Sequence, residues 1–135
     1  MSADAPPVAL IIKPALRRCC AVVLILSSCS VFAGDVSVLA VQLRNMGDGR
    51  WSASVTLEHA DSGWQHYADA WRVVSEDGTV YGTRTLFHPH ESEQPFTRGL
   101  SDIEIPLTVN TIYIEAHDKV HGWSEQRFEI RLDAS

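Results

Sequence analysis

From Gly34 to Ser135 the chain contains no cysteine. Disulfides, thiolate metal sites and cysteine nucleophiles are therefore excluded from that stretch, and its stability must come from an apolar core. Methionine is almost as scarce. Only Met46 follows Met1, which argues against a thioether-type Cu(I) site. Basic charge is thin: only Lys13, Arg17, Arg18 and Asp4 among the charged residues precede position 34, leaving eight Lys and Arg against sixteen Asp and Glu, a formal charge of −8. A domain this acidic repels phosphate backbones, so nucleic acid is excluded as a partner and cations are the natural ligands. No apolar run approaches the roughly 18–20 residues that a membrane-spanning helix needs. Helical periodicity of useful length, internal repeats, a Gly-rich phosphate loop, Gly-x-Ser-x-Gly and His-Glu-x-x-His are all missing.

What is present divides the chain in two. Lys13, Arg17 and Arg18 precede the apolar run Ala21–Leu26, and small residues then lead to Val31-Phe32-Ala33. Basic, apolar, small is the order of a secretory signal peptide, predicted here over residues 1–33. Export to the periplasm or the medium follows, with residues 34–135 as the mature domain. All three cysteines, Cys19, Cys20 and Cys29, fall in the leader. Leu26-Ser27-Ser28-Cys29 resembles a bacterial lipobox, which implies an alternative: a lipoprotein anchored at Cys29.

Residues 34–135 alternate with period two. Val36–Leu43, Trp51–Glu58, Tyr67–Ser75, Val80–Phe87, Leu100–Ile105, Ile112–His117 and Phe128–Leu132 read as strands. Gly47-Asp48-Gly49 and Glu76-Asp77-Gly78 read as turns, and the two prolines of His88–Pro95 make that segment a loop. Seven short strands in about a hundred residues predict an antiparallel β-sandwich of immunoglobulin or fibronectin type III-like class. Pro106–Tyr113 resembles the entry to the sixth strand of fibronectin type III domains, although Tyr113 alternates against Ile112 and Ile114 where that family's tyrosine shares their parity. The segments His88–Arg98 and Ala116–Trp123 resemble a set of small exported bacterial proteins of uncharacterised function. That resemblance implies export and brings no activity.

Antiparallel strands reverse at each step, so the loops after the second, fourth and sixth strands share one end of a sandwich. Those segments carry all six histidines: His59, His66, His88, His90, His117 and His121. Imidazole suits zinc and copper. The spacings His88-x-His90 and His117-x3-His121 allow two ligands from one segment, making these four the expected metal ligands. His59, His66, Asp61, Trp64, Glu91, Glu93, Asp118 and Trp123 are expected around them, orienting the rings or lining a ligand surface. At least three imidazoles from two loops should then lie within roughly 8 Å of a common point, given zinc–nitrogen bonds of about 2.0–2.1 Å.

The sequence supports an exported binding module rather than an enzyme, holding a divalent transition metal, copper or zinc. The competing reading is an interaction domain in which the same residues stiffen a surface for an envelope protein or glycan. Catalysis would need a metal with an open coordination position, for which the sequence has no signature.

Overall fold

The computed structural model describes residues 22–26 and 35–132. The strands in them are β1 (Val22–Leu26), β2 (Ser37–Gly47), β3 (Arg50–Glu58), β4 (Ala68–Val74), β5 (Val80–Thr85), β6 (Phe96–Glu104), β7 (Thr111–Asp118), β8 (Gly122–Trp123) and β9 (Phe128–Arg131). One sheet runs β1-β2-β3-β6. The other runs β5-β4-β7, with β8 and β9 both paired to the free side of β7. Every pairing is antiparallel, and the two sheets make an all-β sandwich.

Each of the seven expected strands is present. β6 begins four residues earlier than expected, at Phe96, and β8 is an additional two-residue strand. The apolar heart of the expected leader, Val22–Leu26, pairs with Ala40–Arg44 as the outer strand of the first sheet. Val31–Ala33 and Cys29 lie outside the described residues.

Parity decides what faces inward. Along β3, Ala53, Val55 and Leu57 are buried between more exposed neighbours, and along β7, Ile112, Ile114 and Ala116 are. These meet Trp71 and Val73 from β4, Val41 and Leu43 from β2, and Phe96 and Ile103 from β6. Hydrophobic burial of this alternating set fixes the register, because a one-residue slip would turn every apolar side chain to water. The β4–β5 turn closes with Gly78 at φ +90°, a left-handed conformation that suits glycine there.

The outer face of the second sheet carries a ladder of charge on aromatic rings. The Arg72 guanidinium lies 3.8 Å from the centre of the Trp123 ring and donates to Glu115 Oε1 at 2.8 Å. Arg127 donates to Glu115 Oε2 at 3.2 Å and covers Tyr113 at 4.4 Å. Tyr113 therefore stands on the outer face, as its parity against Ile112 and Ile114 requires.

The two parity series do not stop at the last aliphatic residue. One step beyond Leu57 the inward position is His59, and one step beyond Ala116 it is Asp118; they are 4 % and 1 % exposed. The sandwich thus ends in a polar plug, with its titratable groups held against the apolar core.

Candidate metal centre

Asp61 organises the plug. Its carboxylate is fully buried and accepts three hydrogen bonds: from His59 Nδ1 at 2.6 Å, from the Ala68 amide at 3.0 Å and from the His90 amide at 2.7 Å. One side chain therefore ties the end of β3, the start of β4 and the β5–β6 loop together. Gln94 adds a second tie, accepting from the His59 amide and donating to the His90 carbonyl, each at 3.0 Å. A carboxylate on Nδ1 places the proton there and turns Nε2 outward as the electron-pair donor, the arrangement that orients histidine ligands at metal sites.

His59 Nε2 faces Asp118. It lies 3.6 Å from Asp118 Oδ2, and His66 Nε2 lies 3.7 Å from Asp118 Oδ1. The short loop between β3 and β4 returns His66 to this point through two backbone bonds, Ser62 N to His66 O and His66 N to Gly63 O, with Gly63 at φ +97°. The His59 and His66 rings sit edge to face with centres 4.8 Å apart. His66 Nε2 is buried and makes no hydrogen bond among the described residues. Ligand atoms of His59, His66 and Asp118 all lie within 4.8 Å of one another.

Asp118 is itself held in place by the loop after β7. It accepts from the Val120 amide at 2.8 Å and the His121 amide at 2.6 Å, and from His121 Nδ1 at 3.0 Å. Burial alone would raise its pKa, but those bonds outweigh it and hold the carboxyl below its ordinary range. Asp118 is thus an anion near neutral pH. Asp35, ahead of β2, reaches the same carboxylate, and Asp35, Asp118 and His121 form a second group whose ligand atoms lie within 4.8 Å of one another.

Three imidazoles from two loop regions do converge: His66 is 4.8 Å from His59 and 5.2 Å from His121, ring centre to ring centre. They are a different three from the expected quartet, of which only His121 joins them. His117 has outward parity on β7, bonds to Asp69 through Nδ1 and packs edge-on against Trp123. His88 and His90 are neighbours at 4.5 Å, but His90 stacks flat on Phe96 at 4.0 Å, while exposed His88 bonds the Pro89 carbonyl through Nδ1. Burial, followed by the positive charge of Arg98 and the nearby His88, lowers the pKa of His90. Glu93 pairs with Arg98 at 3.3 Å, Glu91 is exposed, and Trp64 is 65 % exposed against Tyr67. Asp118 and Asp61, expected only as surroundings, are the anion at the centre and the anchor behind it. Parity counted one residue past each strand would have found His59 and Asp118.

No family model matches the chain, and no solved structure matches it. Among curated proteins the chain is similar to one from Halomicrobium mukohataei whose printed name is "Putative lipoprotein", 38 % identical over 100 residues. The match takes in 74 % of this chain and 49 % of the relative, so the chain spans about half the length of that protein.

Proposed function

We propose that this is an exported module that binds a divalent transition metal, zinc or copper, through His59 Nε2, His66 Nε2 and the Asp118 carboxylate. One observation carries the reading. The 3.6 Å and 3.7 Å separations from the imidazole nitrogens to Asp118 are long for hydrogen bonds. Two ligands bonded at about 2.0–2.1 Å to one tetrahedral ion stand roughly 3.4 Å apart, so the same separations suit a shared cation. Asp61 behind His59, the ionised state of Asp118 and the buried Nε2 of His66 support it. Export is supported by the leader-like first 33 residues and by the relative's name, which is consistent with the alternative of a lipid anchor at Cys29.

Titration of the purified protein with Zn(II) and with Cu(II), followed by calorimetry, tests the reading. Uptake tighter than about 10 μM, roughly −7 kcal/mol, is expected. A His59→Ala, His66→Ala double variant should bind at least about 100-fold more weakly, about 2.7 kcal/mol. A His88→Ala, His117→Ala variant should bind as the parent does. Uptake of neither ion overturns the proposal. That outcome would favour the second reading, an interaction surface for an envelope protein or glycan, for which Trp64, Phe87 and Val120 stand 65 %, 75 % and 60 % exposed in the histidine-bearing loops.

A further inference from the structure

Asp118 belongs to both groups of metal-competent side chains, and this sharing points to more than one ion. The inner group, with His59 and His66, is closed off by the core: the side chains of His59 and Asp118 are each 1 % exposed. The outer group, with Asp35 and His121, opens to solvent through His121, whose side chain is 42 % exposed. Asp118 presents Oδ2 toward His59 and Oδ1 toward His66, while His121 Nδ1 lies within 3.2 Å of both oxygens. Three imidazoles therefore converge on this one carboxylate. Asp35 brings a second carboxylate within 4.8 Å of the first. A cation placed between two carboxylates so close is attracted to both. The donors are hard oxygens with imidazole, a set that takes zinc or copper.

We infer that Asp118 bridges two divalent ions, one held with His59 and His66 and the other with Asp35 and His121. This rests on the proposed metal reading and extends it from a single ion to a pair. Ions sharing a carboxylate in this way sit about 3.5–4 Å apart. The inner ion is buried and should exchange slowly. The outer one borders water, keeps room for a solvent ligand and should exchange quickly.

Stoichiometry decides the question. Protein titrated with Zn(II) and followed by calorimetry, with free zinc present throughout, should take up two ions. Asp35→Asn and His121→Gln should each carry one; Asp35 is half-buried and His121 exposed, and both variants should keep the parent's circular dichroism. Asp118→Asn should lose both ions. With two equivalents of Cu(II), integrated electron paramagnetic resonance should fall well below two spins through coupling across the carboxylate, and Asp35→Asn should restore a full uncoupled signal from its one ion. One zinc in the parent protein, or two zincs retained in both outer-group variants, overturns the pair. The first of these outcomes leaves the single-ion reading standing, whereas no zinc at all overturns both.

Discussion

Asp61→Ala is expected to lower the stability of the domain by about 3–5 kcal/mol. Three buried donors lose their acceptor together: His59 Nδ1, the Ala68 amide and the His90 amide. Each stranded donor costs about 1–3 kcal/mol, and water entering the space left by the carboxylate offsets part of the sum. For a domain of this size the loss is a fall in melting temperature on the order of 15–25 °C. Asp61→Asn should recover less than half of it, because its amide offers one acceptor oxygen and turns two further protons toward groups that are already donors. Asp61→Ala should also weaken zinc binding about 10–100-fold, since nothing then holds the His59 proton on Nδ1. Thermal melts with chelator and calorimetry with zinc separate the two effects. A melting point within about 5 °C of the parent would show that Asp61 is not the anchor of the plug.

Phe96→Ala should cost about as much, about 3–5 kcal/mol, and should also change how stability depends on pH. Phe96 is 2 % exposed, and its ring forms the floor under His90. That burial is the main reason the His90 pKa is depressed. An unfolded histidine takes up a proton near pH 6.5, whereas folded His90 resists until a lower pH. Between those two values the unfolded chain binds more protons, so stability is fully present above pH 6.5 and is lost as pH falls toward the folded pKa. Asp118 adds a separate loss at more acid pH, because its depressed pKa is overtaken only below the ordinary carboxylate range. Removing the Phe96 ring wets His90 and returns its pKa toward the ordinary value, flattening the slope just below pH 6.5 and leaving the acid limb unchanged. Urea unfolding with chelator from pH 8 to pH 2 measures both limbs. His90→Gln serves as the control: it should flatten the same slope without the loss of a core ring. An unaltered slope in both variants would remove His90 as its source.

The alternation of Ala53, Val55 and Leu57, and of Ile112, Ile114 and Ala116, was enough to read two sheets and a shared core from the sequence. Hairpin turns at Gly47–Gly49 and at Gly78 were equally legible, because glycine next to aspartate leaves few other conformations. Placing all six histidines at one end also followed from strand reversal. Choosing among them did not. The pairs His88-x-His90 and His117-x3-His121 suggested chelation by sequence proximity, whereas the fold sorts these rings by strand parity and by long-range contacts. His117 has the parity of the outer face, so it meets Asp69 and Trp123. His90 enters the core because Phe96 offers it a flat apolar surface, a contact that no local pattern encodes. Asp61 lies in a loop, where an aspartate is usually solvated; its role depends on amides from β4 and from a loop 29 residues away.

The two ties that close the plug join distant parts of the chain: Asp61 to His90 spans 29 residues and His59 to Gln94 spans 35. Neither can form until β3 and β6 lie side by side and β4 has joined the opposite sheet. Chain closure over such separations is costly until the hairpins have brought the ends near. The histidine end should therefore be assembled late in folding, after the barrier is crossed. Interactions made after the barrier govern how fast a protein comes apart rather than how fast it forms. The plug then acts as a latch on the native state: its loss should shorten the lifetime of the folded domain, and an ion bound at Asp118, as proposed, would prolong it.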